Sequence, residues 1–207
     1  SVEEILVRSS NVGSVLLAKK IGEENYKEFI KETNITQNPK IELEEVGVPH
    51  KLKWNKCKLE TVSFGHGITT TPLQATALYA AMINGGKIVI PSLIKERKTQ
   101  NLKSIISVDT SNKLRNILRK VVSSKDGTAS LADKDGYYVG GKTGTAESYG
   151  DTKNRINTFI SVFPSHKPNY TLFVMLENPK INKDLIYNYR GVKTKAPYNT
   201  SGWNSVY

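Results

Sequence analysis

Two neighbouring apolar runs late in the chain constrain its fold more than any other feature. Residues 157–163 and 170–176 are rich in β-branched and aromatic side chains, and Pro164, Pro168 and Asn169 lie between them. Strand-length runs around a turn of this kind predict an antiparallel hairpin. Most of the chain before them has helical spacing instead. Val12, Val15, Leu16 and Ile21 fall near one helical face, and Gly22 can close that helix. A short helix over 24–31 groups Tyr26, Phe29 and Ile30. Thr71 caps a third helix, with Pro72 at its first position and Gln74 completing a capping box, and Asn84-Gly85-Gly86 ends it. A fourth, over 110–122, keeps Leu114, Ile117, Leu118, Val121 and Val122 on one face. Residues 34–60 predict a long surface loop anchored by Trp54, and residues 87–91 a strand. Helices first and adjacent strands afterwards favour an α+β fold with an antiparallel sheet over a parallel nucleotide-binding sheet.

Composition removes several function classes. A single cysteine excludes an internal disulfide framework and a cysteine-based zinc site, and Cys57 reads as a small buried apolar residue. His50, His66 and His166 have no ligand spacing, so no metal or organic cofactor is implied. His66 reads as a turn residue between glycines. No apolar run approaches the ~18 residues of a membrane span. The 30 Lys and Arg against 19 Asp and Glu give a net charge of +11. The lysines are scattered among glutamates rather than interleaved with aromatics, which argues against nucleic acid as a partner. The chain starts Ser1-Val2-Glu3-Glu4, without Met or leader, and reads as the interior of a longer chain.

Residues 136–143, G-Y-Y-V-G-G-K-T, match the phosphate-binding pattern G-x-x-x-x-G-K-[ST]. That pattern needs a helix directly after it, so that backbone amides and the helix dipole meet the phosphates. Here Tyr137-Tyr138-Val139 is strand-forming, and a polar loop is expected from Glu147. The other reading of Lys142-Thr143-Gly144-Thr145 is an edge strand lining an acyl-transfer site. Lys142 supplies positive charge for a substrate carboxylate and a neighbouring hydroxyl. Gly144 lets substrate approach the backbone. Thr143 and Thr145 offer hydroxyl donors, and the Thr145 amide suits an oxyanion hole. Ser9-Ser10-Asn11 precedes a helix; alone it reads as a cap. Together, S-x-N and then K-T-G are two of the three elements of the Ser-x-x-Lys, Ser-x-Asn and Lys-Thr-Gly set of penicillin-binding enzymes.

On these residues the chain resembles the transpeptidase domain of class B penicillin-binding proteins. Ser63-Phe64-Gly65-His66-Gly67, Thr70-Thr71-Pro72-Leu73-Gln74, Asn84-Gly85-Gly86-Lys87, Gly140 to Glu147 and Gly202-Trp203-Asn204 also fit, so the likeness runs nearly end to end. The FGHG and GWN forms point to the division-specific, FtsI-type penicillin-binding protein 3 subgroup, of α-proteobacterial character. The resemblance implies a β-lactamase/transpeptidase-like α+β fold, an antiparallel sheet flanked by helices. It also implies a serine D,D-transpeptidase that cross-links peptidoglycan stem peptides and is acylated by β-lactams. Ser9 would relay protons, Asn11 would bind the substrate backbone, and Lys142, Thr143 and Thr145 would hold the terminal carboxylate.

The nucleophile is missing from this pattern. In the family Ser-x-x-Lys lies well upstream of the position Ser9 matches. Ser92-Leu93-Ile94-Lys95 follows Pro91 at a strand end, on the wrong side of S-x-N, and reads as a surface serine. Thr110-Ser111-Asn112-Lys113 is a second accidental match, at a helix start. Residues 1–207 are therefore expected to form an incomplete, C-terminal portion of the domain, lacking the nucleophile helix and the terminal helix. An upstream chain would supply the serine, division proteins would be partners of the parent, and the parent would face the periplasm from the inner membrane. Rival readings are a non-catalytic remnant or binding scaffold, a P-loop nucleotide binder and a β-lactamase.

Overall fold

The computed structural model describes residues 1–95, 102–148, 151–182, 184–189, 191–195 and 199–206. Its helices are α1 (Val2–Val7), α2 (Asn11–Ile21), α3 (Glu23–Glu32), α4 (Lys58–Ser63), α5 (Pro72–Ile83) and α6 (Val108–Ser123). Its strands are β1 (Gly140–Ser148), β2 (Asp151–Phe163), β3 (Tyr170–Glu177), β4 (Tyr187–Tyr189) and β5 (Val192–Thr194). The chain divides into two compact units, Ser10–Leu114 and Ser1–Ser9 with Arg115–Tyr207.

The unit Ser10–Leu114 is helical. Ser10 caps α2 by accepting from the Gly13 amide, and Gly22 ends it at φ 87°, a conformation glycine adopts without strain. Helix α2 packs on α4. That helix was not legible in the sequence, where residues 58–60 fell in the expected loop. Cys57 precedes α4 in the left-handed region, φ 64°, and is exposed, not buried as expected. Trp54 is half-buried beneath the Lys27 ammonium, 5.3 Å from its ring centre. Thr71 caps α5 through the Gln74 amide. The capping box is not reciprocal, because the Gln74 side chain donates instead to the Asn34 and Gln37 carbonyls at 2.8 and 3.1 Å. Residues 87–91 do not form the expected strand: only Lys87 makes a bridge, to Ser104.

The other unit holds the sheet. Strands β1, β2 and β3 run antiparallel in that order, with Lys142 opposite Ile160 and Thr143 opposite Phe159. The expected hairpin is therefore present as β2–β3. Tyr137-Tyr138-Val139 is not strand: it is turn and coil, with Tyr138 at φ 50°, and β1 begins at Gly140. Of the polar loop expected from Glu147 to Thr152, Glu147 and Ser148 belong to β1 and Asp151 and Thr152 to β2, while 149 and 150 lie outside the described residues. A core of Val7, Val121, Val122, Ala129, Phe159 and Val206 joins α1, the last turns of α6, the sheet and the residues after β5. Burying a Val or Phe side chain stabilises by about 1.5–3 kcal/mol each. Gly141 exists for this packing: a Cβ there would lie 2.7 Å from the Phe159 ring.

Candidate functional site

Strand β1 carries Lys142, Thr143, Gly144 and Thr145. It has β2 on one side and, among the described residues, no strand on the other. Its outer edge can thus pair with an extended peptide. The Lys142 ammonium donates to the Ser9 hydroxyl at 2.6 Å and to the Thr143 carbonyl at 3.0 Å. Burial lowers the Lys142 pKa from its ordinary 10.5 to about 8, because desolvation penalises the charged form.

Helix α1 brings Ser9 to this lysine. A capping box starts it: Ser1 accepts from the Glu4 amide and the Glu4 side chain reaches back. Val7 plugs it into the core, while Glu3 pairs with Lys120 at 2.7 Å and Arg8 with Asp126 at 3.2 Å. The chain then leaves the helix with Ser9 at φ 54°, the left-handed region that non-glycine residues rarely occupy. This strained turn aims the hydroxyl at Lys142. Six residues carry too little periodicity to mark α1 in the sequence, and Ser1-x-x-Glu4 is its one local start signal.

Two hydroxyl pairs stand around the same strand. Thr143 Oγ1 lies 2.8 Å from Thr128 Oγ1, and Thr145 Oγ1 lies 2.8 Å from Ser201 Oγ. The Ser201 amide also donates to Thr145 Oγ1 at 3.2 Å, and the Ser201 hydroxyl donates to the Gly144 carbonyl. Sequence reasoning singled out neither Thr128 nor Ser201. At Gly144 the crowding comes from within the sheet, since a Cβ would meet Thr158 Oγ1 at 2.6 Å.

Five of the six residues selected from sequence, Ser9, Lys142, Thr143, Gly144 and Thr145, therefore share one unit. Asn11 belongs to the other, where it is the exposed first residue of α2. That unit also holds a cavity of about 620 Å³ between α5, residues 33–40 and residues 88–91, which contains none of the six. Ser92 is there too, half-buried, in a non-helical segment, donating to the Glu42 carboxylate at 2.7 Å. Lys95 is exposed on a turn, so this Ser-x-x-Lys lacks the helix that would fold its lysine onto its serine. The G-x-x-x-x-G-K-T pattern spans a turn and β1, and more strand follows it. Among the described residues no helix N-terminus is there to receive phosphate. Among the described residues, no three His, Cys, Asp or Glu are grouped to hold a metal.

Comparison with known proteins gives the chain a family. The sequence profile of one family, the penicillin binding protein transpeptidase domain, matches residues 1–199. Stage V sporulation protein D of Bacillus subtilis is 34% identical over 196 residues, covering 86% of this chain and 30% of that protein. The probable peptidoglycan D,D-transpeptidase FtsI of Caulobacter vibrioides is 29% identical over 215 residues, covering 97% of this chain and 35% of its own length. Penicillin binding protein 3 of Mycobacterium tuberculosis, solved in complex with ampicillin, superposes with a TM-score of 0.78 at 26% identity. That match covers 94% of this chain and 47% of the solved one. The chain spans about a third of the length of these curated relatives.

Proposed function

Because the chain belongs to the penicillin binding protein transpeptidase domain family, we propose that it forms the carboxylate-holding and proton-relaying part of a peptidoglycan D,D-transpeptidase. The observation that carries this reading is the 2.6 Å contact between Lys142 and Ser9 beside an open-edged G-K-T-G-T strand. In this reading residues 1–207 are one portion of the transpeptidase domain, and an upstream segment or chain supplies the Ser-x-x-Lys nucleophile. The donor stem peptide lies along the free edge of β1. Lys142, Thr143 and Thr145 hold its terminal carboxylate.

Acyl transfer then needs a proton for the leaving D-Ala amine. Ser9 gives its hydroxyl proton to that amine and recovers one from Lys142. A lysine near pKa 8 exchanges protons at neutral pH far more readily than an ordinary one. When the acceptor amine attacks, the relay runs in reverse. The Thr145 amide stabilises the oxyanion of each tetrahedral intermediate. β-Lactams carry an equivalent carboxylate and use the same contacts. The likeness to a probable peptidoglycan D,D-transpeptidase FtsI supports a role in cell-wall synthesis; in our reading that role is in division, with division proteins as partners, at the periplasmic face of the inner membrane. Among the described residues no helix is long and apolar enough to cross a membrane.

Intact mass after incubation with a penicillin tests this. The chain alone is expected to stay unmodified, and a folded mixture with the serine-bearing segment to gain one adduct on that serine. An adduct on Ser9 or Ser92 would overturn the assignment of the nucleophile. No adduct in the folded mixture would favour the rival reading, a scaffold that binds without catalysis.

A further inference from the structure

A hydroxyl has one proton to give and two lone pairs to accept with. Ser201 spends its proton on the Gly144 carbonyl while its amide points at Thr145 Oγ1. The remaining 2.8 Å contact must therefore be donated by Thr145 to Ser201 Oγ. Ser201 thus sets two consecutive residues of β1, one through its hydroxyl and one through its amide. Thr128 meets the neighbouring β1 hydroxyl by a single contact, Oγ1 to Thr143 Oγ1 at 2.8 Å, in which either oxygen can donate.

Both supports are rigidly held. Ser201 is 1% exposed. Two residues on, Trp203 packs against Tyr187 and Tyr189, with ring centres 5.4 and 4.9 Å apart. The turn carrying Thr128 is tied to the end of α6, Gly127 donating to the Ser124 carbonyl and Ala129 to that of Val121, both at 3.1 Å. The two segments touch: a Cβ on Gly202 would lie 2.7 Å from the Thr128 carbonyl oxygen.

We propose that Thr128 and Ser201 are positioning residues that aim the Thr143 and Thr145 hydroxyls at the substrate's carboxylate. This rests on the transpeptidase reading above. The test compares acylation rates of the full-length protein by benzylpenicillin and by its methyl ester, which lacks the carboxylate. Thr128→Val and Ser201→Ala are each expected to lower the acid-to-ester rate ratio about tenfold, the size of one well-placed hydrogen bond to a charged group. Thr128→Ser, which keeps the hydroxyl, is expected to restore the ratio. Melting temperatures of all variants are read in parallel. Equal losses for acid and ester, with or without a lowered melting temperature, would mean a merely structural role and overturn the proposal. So would unchanged ratios in both hydroxyl-free variants. A wild-type protein that takes up no penicillin would instead overturn the transpeptidase reading, a failure visible before any variant is made.

Discussion

Lys142 is a cation held where burial disfavours its charge, and two consequences follow. Between its folded pKa of about 8 and the ordinary 10.5, the unfolded chain holds a proton that the folded chain has released. Stability contributed at this position therefore rises with pH across that window, and the penalty is complete below it. The difference in urea midpoint between wild type and Lys142→Met should move in favour of wild type from pH 8 to 10.5. A difference flat in pH would show that the ammonium is not desolvated. The second consequence is chemical. Met keeps the bulk of the side chain and removes both the charge and the proton donor to Ser9. Acylation of the full-length protein should fall by roughly two to four orders of magnitude, the range of a lost general acid–base group, and stopped-flow or quenched mass measurements would read it.

Among elements, β1 is most sensitive at its glycines, and their neighbours rank them. A Cβ at Gly141 would sit 2.6 Å from the Ile160 carbonyl and 2.7 Å from the Phe159 ring, neither of which can yield cheaply. At Gly144 the obstacle is Thr158 Oγ1, the end of a side chain that can rotate. Gly141→Ala should cost about 1–3 kcal/mol or more and Gly144→Ala less, as urea unfolding would measure; the reverse order would contradict this packing. The same strand marks what the residues disclosed. The β2–β3 hairpin, α5 and α6 were legible because β-branched and aromatic runs around a turn, the Thr71-Pro72 start and helical spacing all act locally. Helix α1 was not, because six residues are too few for a periodic signal. Residues 87–91 have strand composition, but among the described residues their pairing stops at the Lys87–Ser104 bridge and the Ile88 amide's bond to the Lys103 carbonyl, so tertiary context overrode propensity. Cys57 was misread because cysteine is usually buried, whereas here it occupies the left-handed turn before α4. Within the site the G-K-T-G-T strand was legible as a motif. Thr128 and Ser201 were not, because hydroxyls on turns are common and only the fold shows which ones reach β1.

For the whole molecule, two surface properties act against each other. A net charge of +11 keeps copies of the chain apart. Against this, β3 has β2 on one side and, among the described residues, no strand on the other, and it exposes Tyr170, Leu172, Met175 and Leu176. An open strand edge with apolar side chains invites pairing between chains. Repulsion between exposed charges is screened over about 10 Å at 0.1 M salt, while apolar association is not weakened by screening. Self-association of the isolated chain should therefore increase as salt is raised. Leu172 and Leu176 lie on one face of β3, four residues apart, so Leu172→Lys with Leu176→Lys places two charges on that face. Sedimentation velocity at low and high salt should show the double variant remaining monomeric where wild type associates. If the variant associates as wild type does, the attraction resides elsewhere than on β3.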